Sequence, residues 1–130
     1  ISKFASSGGN FLEEKKALLK ALEDVQAMIG HMVGMAMSSQ EEPKELYKIG
    51  LNTSRLLMAT GDLIIAWLLL RQADIAQNKL ADAGRDTEFY NGKIASAKFF
   101  VRSVLPHISV ERAVVESETG EIMNIAEAAF

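Results

Sequence analysis

The stretch that most constrains this chain is "LLMATGDLIIAWLLL", which runs from Leu56 to Leu70. It is apolar over nearly its whole length, contains no proline and carries Asp62 near its middle. A membrane-spanning helix needs about 20 apolar residues and rarely holds a carboxylate, so this stretch predicts a core helix rather than a membrane span. We expect neighbouring helices to bury it on nearly all sides.

The sequence before this stretch has the pattern of a long helix. It is predicted to start at Asn10, a favourable N-cap that pairs with Glu13 in a capping box, and to end near Ser38. Apolar residues recur within it at spacings of three and four, as on one face of a helix. They are Phe11, Leu18, Leu22, Val25, Ile29, Met32 and Ala36.

Further helices are predicted downstream. One covers about Pro43 to Leu80 and contains the apolar stretch, and Gly84 suits the left-handed turn that ends helices. The next starts after Asp86 or Thr87, and Pro106 is expected to kink it or end it. Its apolar stripe comprises Tyr90, Ile94, Ala97, Val101, Val104 and Ile108.

These elements predict an all-α fold, an antiparallel up-and-down bundle of three to four helices. Residues 1–10 are predicted to be a linker or the end of a preceding segment, and residues 11–130 a single bundle domain. The chain starts at Ile1 rather than Met, so we expect it to be the C-terminal part of a longer protein. Apolar residues of the tail are expected to dock on the bundle, namely Ile122, Met123, Ile125 and Phe130.

Charge and cysteine content narrow the range of partners. The formal net charge of −3 gives no overall attraction to nucleic acid or to an anionic membrane surface, so neither is predicted as a partner. The 130 residues include no cysteine, which excludes disulfides and thiolate zinc sites and fits a reducing compartment. We therefore expect a cytoplasmic location.

Histidines and carboxylates form no recognisable metal or catalytic pattern. His107 and Glu111 are four residues apart, but a histidine that binds metal belongs to a larger cluster in nearly all cases. His31 lies among methionines, either as a ligand or base in a pocket or, as we favour, as a polar residue beside the core. Nucleotide-binding glycine loops and nucleophile elbows are absent. We predict no metal, cofactor or catalytic residue in these residues.

Asp62 is the sharpest electrostatic feature, because a carboxylate in an apolar run must find a partner or shift its pKa. A catalytic role is one interpretation. We favour an ion pair or a helix-to-helix hydrogen bond. Arg55 lies earlier on the same helix, and Lys93 or Arg102 is expected to reach it from the following helix.

Small and flexible residues suggest two packing surfaces. Gly30 and Gly34 are spaced to let another helix approach closely, although this spacing is weak evidence outside membranes. Gly92 with Ser96 offers a second groove, and close packing would offset the ~1 kcal/mol that glycine loses in helix propensity. The methionines at positions 28, 32, 35 and 37 form either an adaptable partner surface or, more often, core.

The segment "EFYNGKIASAKFFVRSVLP" alternates aromatic and basic residues like a nucleic-acid surface. Helical geometry removes that interpretation, because Lys93 points well away from Lys98 and Arg102. Phe99 and Phe100 are adjacent and face different directions, so no stacking ladder forms.

The order of these residues resembles the extra C-terminal helical domain of a large subgroup of bacterial acyl-CoA dehydrogenases. The resemblance covers about Phe11 to Phe130 and rests on a buried helix, a Phe-Tyr-x-Gly-Lys segment, paired aromatics and a closing Leu-Pro. The matching residues are Gly61, Trp67, Arg71, Gln72, Ala73, Phe89, Tyr90, Gly92, Lys93, Phe99, Phe100, Leu105 and Pro106.

The resemblance implies an FAD-dependent parent enzyme that oxidises the α,β bond of acyl-CoA thioesters in fatty acid metabolism. Its base, FAD contacts and thioester pocket would lie in upstream catalytic domains, on which this domain would pack, with a homodimer possible. The alternative is a free-standing helical interaction or dimerisation module. In either case we expect structural or packing roles for Gly30, Gly34, Asp62, Trp67, Arg71, Tyr90, Gly92, Lys93, Phe100 and Pro106.

Overall fold

The computed structural model describes residues 1–129, and within them it contains helices and turns but no strand. The α-helices are α1 (Ser2–Ala5), α2 (Leu12–Ser38), α3 (Glu45–Lys79), α4 (Thr87–Ser103) and α5 (Pro106–Ser117). Short 3-10 turns occupy Leu80–Asp82, Gly84–Asp86, Glu121–Asn124 and Glu127–Ala129. The predicted all-α fold is confirmed.

Contacts between helix ends define an up-down-up bundle. The Asn10 side chain, just before α2, donates to Asp74 Oδ1 near the end of α3 at 3.2 Å, so α2 and α3 are antiparallel. Lys93 of α4 donates to Gln72 of α3, and Glu111 of α5 accepts from Arg55 of α3. The consecutive helices α4 and α5 therefore both run antiparallel to α3. The predicted up-and-down bundle of three to four helices is confirmed.

The break between α4 and α5 lies at Pro106, where the sequence predicts a kink or a helix end. Val104 still donates its N–H to the carbonyl of Phe100 at 2.8 Å, and Pro106 is the first residue of α5. Proline has no N–H to donate but fits the first turn of a helix, where that donor would have no partner. The break lets α5 lie against α2, so that two helices form one side of the core.

The start of α2 differs from the prediction. Asn10 is not the N-cap, because Phe11 takes that position in the left-handed conformation with φ 60°, and no side chain caps the helix. The Asn10 amide instead donates to Asp74 and Asn78 of α3. A tertiary contact has replaced the local capping bond that the sequence suggested.

The first ten residues are attached to α2. Ala5 is buried, and Lys15 is 2% exposed although it carries an ammonium group. The Lys15 Nζ donates to Ser7 Oγ and to the Gly8 carbonyl, both at 3.0 Å, and lies 4.9 Å from the centre of the Phe4 ring. These neutral oxygens and the ring replace the water that the ammonium loses on burial.

The core lies along the line where α2, α3, α4 and α5 meet. On α3 it uses a single face, where Leu63, Ala66 and Leu70 are buried. The prediction that the apolar stretch is buried on nearly all sides is therefore wrong for this chain, since Leu57 on the opposite face is 70% exposed. An apolar run alone does not reveal which of its faces has neighbours.

The helical segment Glu45–Asp82 is long and apolar enough to cross a membrane by length and composition. Its most apolar window of 18 residues has a mean hydropathy of 1.4, and 22% of that window is buried. Its buried face joins the core, which is also common for helices of globular domains.

The tail does not pack as predicted. Ile122, Met123 and Ile125 are all exposed, and the segment is held by Lys44 Nζ, which donates to Asn124 Oδ1 at 2.9 Å. Gly120 ends the helical region in the left-handed conformation, with φ 72°. Phe130 lies outside the described residues.

Candidate functional site

Asp62 lies half-buried at the edge of a depression of about 310 Å³ between α3 and α5. None of its predicted partners reaches it. Arg55 pairs with Glu111 at 2.7 Å, Lys93 bonds to Gln72, and Arg102 pairs with a glutamate of α2. Within residues 1–129 no ion pair or side-chain hydrogen bond engages the Asp62 carboxylate, so the predicted helix-to-helix pair is wrong. Partial exposure leaves it in contact with water.

The most deeply buried carboxylate of the described residues is Asp24, at 0% exposure against 7% for Glu14, and it has no counterpart among the residues predicted from the sequence. Its side chain is 0% exposed on α2 and accepts hydrogen bonds from Lys20 Nζ at 2.5 Å, Ser109 Oγ at 2.5 Å and Arg112 Nη1 at 3.0 Å. Burial acts to raise the pKa of Asp24, but the hydrogen bonds from Lys20, Ser109 and Arg112 outweigh it and hold the pKa below its ordinary value. The cluster fastens α5 to α2.

A signal for this cluster exists in the sequence. Asp24 falls three residues after Ala21 and four before Met28, both of which are buried, so it interrupts an apolar stripe at helical spacing. Ser109 and Arg112 are three apart and therefore share a face of α5. The cluster is structural in its chemistry, because both Asp24 oxygens are engaged: Oδ1 accepts from Lys20 and Arg112, and Oδ2 accepts from Ser109.

Trp67 and Arg71 form a pair on the surface of α3. The guanidinium carbon lies 5.3 Å from the centre of the indole ring, which is the range of a cation–π contact. The ring is half-buried against the core, and its Nε1 is buried without a hydrogen-bond acceptor among residues 1–129. Trp67 packs against the core, whereas Arg71 is exposed and lies over the Trp67 ring. The packing roles expected of the two residues stay predictions.

The Phe-Tyr-x-Gly-Lys segment lines an apolar groove of about 210 Å³ between the end of α3 and the start of α4. Phe89 and Tyr90 meet edge to face with centroids 5.6 Å apart. Lys93 Nζ lies 5.5 Å from the Phe89 centroid and donates to Gln72 Oε1 at 3.4 Å. Further along α4, Phe100 is half-buried against the core.

The glycines predicted to admit a close helix lie in open space. At Gly30, Gly34 and Gly92 an added Cβ would meet no other atom within 4 Å. The packing grooves predicted at these positions are therefore wrong within the described chain, because each glycine points away from the core. A glycine in a helix indicates a close contact only when a neighbour is actually present on its side.

The methionine cluster belongs mainly to the core. Met28, Met32 and Met35 are buried, and Met37 alone of the four is strongly exposed. The interpretation of the cluster as an adaptable partner surface is wrong for three of its members. Their flexible side chains fill the core instead.

His31 and His107 do not join a metal-binding group. Among residues 1–129, no three histidine and carboxylate side chains converge as a bound metal ion requires. The Glu111 carboxylate near His107 is occupied by Arg55 at 2.7 Å.

The feature with the clearest functional meaning is the solvent side of α3. We call it the α3 outer face, and its exposed apolar residues are Leu46, Tyr47, Leu51, Leu57, Met58, Ile64, Ile65, Leu68 and Ile75. From Leu46 to Ile75 it extends about 44 Å at the rise of an α-helix. From Leu57 to Leu68 every exposed side chain of α3 is apolar, whereas Ser54 and Arg71 interrupt the face on either side of this part. Exposed apolar surface of this kind marks a site where another molecule or domain packs.

Comparison with known proteins supplies the context for this surface. Over residues 1–126 the sequence matches the family described as "Acetyl-CoA dehydrogenase C-terminal like". The chain belongs to this family. The resemblance drawn from the Phe-Tyr-x-Gly-Lys segment and its neighbours is thereby confirmed.

Relatives of known function are much longer than this chain. It is 44% identical over its whole length to "Broad-specificity linear acyl-CoA dehydrogenase FadE5" of Mycobacterium tuberculosis, of which it covers 22%. Over 94% of its length it is 31% identical to a "Butyryl-CoA dehydrogenase" of Syntrophomonas wolfei, of which it covers 21%. The chain thus spans about a fifth of the length of the curated relatives it matches.

Proposed function

We propose that these residues are the non-catalytic C-terminal helical domain of an FAD-dependent acyl-CoA dehydrogenase. The observation that carries the proposal is the 44% identity to the mycobacterial acyl-CoA dehydrogenase across the whole chain, in a segment that is 22% of that protein. The parent enzyme would oxidise the α,β bond of linear acyl-CoA thioesters in fatty acid metabolism, in the cytoplasm. The names of both relatives, a linear acyl-CoA dehydrogenase and a butyryl-CoA dehydrogenase, support this choice of substrate.

The residues present do not fit FAD. A dinucleotide pyrophosphate is held by free backbone N–H groups where a glycine-rich turn enters a helix. The turn before α2, which contains Gly8 and Gly9, instead leads into a first helical turn that carries Glu13 and Glu14, whose negative charges would repel a pyrophosphate. The depressions between the described helices measure about 210 to 380 Å³ and are framed by no such turn. FAD and the catalytic base would therefore belong to other parts of the longer protein, and we assign no step of the reaction to these residues.

This domain would pack on the catalytic domains of the same chain or mediate contact between subunits. The support is the α3 outer face, because apolar residues that remain exposed in a part of a protein are commonly buried in the whole. We propose the same domain boundary as the sequence predicts, with residues 11–130 forming the bundle. Residues 1–10 would link it to what precedes.

The second candidate is a free-standing interaction module that dimerises without any enzymatic activity. The observation that raises it is the same exposed face, since an apolar strip can also join two copies of one chain. The surface used would be α3 rather than the methionines of α2, most of which are buried.

A comparison of two proteins separates these candidates. We expect the longer protein to show a flavin absorbance spectrum and to reduce an artificial electron acceptor when given a saturated linear acyl-CoA. Residues 1–130 alone should do neither. The proposal fails if the longer protein binds no flavin, or if the 130-residue chain by itself oxidises the acyl-CoA.

A further inference from the structure

The spacing of the apolar side chains on the α3 outer face indicates what kind of surface would cover it. If Gly61 is placed at position a of a heptad, eight of the nine exposed apolar side chains fall at positions a, d and e, and Leu46 at the end of the face falls at g. Leu68 lies at a, Leu57 and Ile64 at d, and Met58 and Ile65 at e. A seam between two helices uses a and d alone, whereas a stripe that includes e is wide enough to pack against a globular body.

The centre of the face allows a close approach. Gly61 lies between Leu57 and Ile64 on this side of α3, and a Cβ added there would meet nothing within 4 Å. Gly50 on the same side is equally open. A ridge of side chains from another helix would fit over these positions. Positions a, d and e from Leu57 to Leu68 hold no charged residue, and the half-buried Asp62 lies at position b on the margin of the stripe. Recognition along the stripe would therefore depend on apolar packing.

Area argues against a second copy as the occupant. The face is about 44 Å long and about 10 Å wide, the width of one helix, so its flat projected area is roughly 440 Å². A stable complex between free proteins buries about 800 Å² on each partner. A covalently linked segment needs less, because the linkage supplies an effective concentration in the millimolar range. The face therefore has the size of a contact within one chain.

We infer that the α3 outer face docks onto an apolar helical surface in the part of the longer chain that lies outside residues 1–130. This inference rests on the proposed function, which requires such a part to exist. The relatives are long enough to supply it, since this chain matches only 21 to 22% of their lengths. In this chain only 22% of the most apolar window of α3 is buried. In the assembled protein α3 would be covered on both its core side and its outer face.

Thiol labelling in the longer protein tests this inference. Ile64→Cys and Leu68→Cys place thiols on the α3 outer face, and Lys16→Cys is the control, because the Lys16 side chain is 71% exposed on α2. Residues 1–130 contain no native cysteine, so peptide mass spectrometry assigns each label to its site. We expect Ile64→Cys and Leu68→Cys to react with a water-soluble maleimide at least about tenfold more slowly than Lys16→Cys. All three should react alike in urea.

Labelling of the two face thiols at the rate of Lys16→Cys in the native protein would overturn the inference. Protection that disappears on dilution would also overturn it, because the occupant would then be a second copy. The reaction is carried out without lipid, so a face that is covered only by a membrane would label rapidly and give the same refutation.

Flavin content and acyl-CoA oxidation, measured on the same samples, separate this inference from the proposed function. Slow labelling in a protein without flavin would refute the proposed function and leave the docking intact. Rapid labelling in an active flavoprotein would refute the docking alone.

Discussion

Replacing Asp24 is the perturbation whose effect follows most directly from the structure. Asp24→Ala removes a fully buried carboxylate together with three charge-assisted hydrogen bonds, each worth about 1.5–3 kcal/mol. Loss of one partner of a buried ion pair typically costs about 3–5 kcal/mol. Here Lys20 is 57% exposed and regains water, so we expect the free energy of unfolding to fall by about 2–3 kcal/mol.

Urea unfolding of the 130-residue chain at neutral pH, followed by far-ultraviolet circular dichroism, measures this loss. With a denaturant slope of about 1–3 kcal/mol per molar, the midpoint should fall by roughly 1–2 M. Glu13→Ala is the control, because the pair between Glu13 and Lys16 is exposed and should contribute less than about 0.5 kcal/mol. Equal losses for the two variants would refute the idea that Asp24 fastens α5 to α2.

The pKa of Asp24 adds a pH dependence with a definite sign. Its folded pKa is lowered, so its contribution to stability is fully present above the unfolded pKa of about 3.9 and is lost as the pH falls through the folded pKa. The difference in unfolding free energy between the unsubstituted chain and Asp24→Asn should therefore be constant near neutrality and shrink below about pH 4. A difference that grows on acidification would contradict the assigned direction.

Two other stability predictions concern exposed and buried faces. Leu70→Ala should lower the free energy of unfolding by about 2–5 kcal/mol because Leu70 is fully buried. Leu57→Ala on the other side of α3 should change it by less than about 0.5 kcal/mol, and similar urea midpoints for the two variants would contradict the orientation of α3. Gly92→Ala should raise thermal stability by about 0.5–1 kcal/mol, because the added methyl group meets nothing; a lower melting temperature would reveal a neighbour there.

The number, order and breaks of the long helices were predictable from the sequence. The third predicted helix begins at Thr87, and Pro106 starts a new helix as expected. Periodicity and proline act locally, which is why they are readable from one chain. The failed N-cap at Asn10 depended on a contact with Asp74 that is 64 residues away, and no local pattern reports such a contact.

The candidate site was less predictable because it depends on which neighbours are present. The apolar surroundings of Asp62 in the sequence predict a buried partner for it, yet the structure buries Asp24 and leaves Asp62 partly exposed. The apolar stretch was expected to be core on nearly all sides, but only one face has neighbours in this chain. The proposed docking explains the other apolar residues of that stretch, because a further part of the longer protein would cover them.

Side-chain exposure of Ile64 in an experimental structure of the longer protein is the measurement that tests this account most directly. We predict that Ile64, which is 42% exposed in this chain, is buried there against residues outside 1–130. An Ile64 side chain that remains open to solvent in the complete protein would contradict the account.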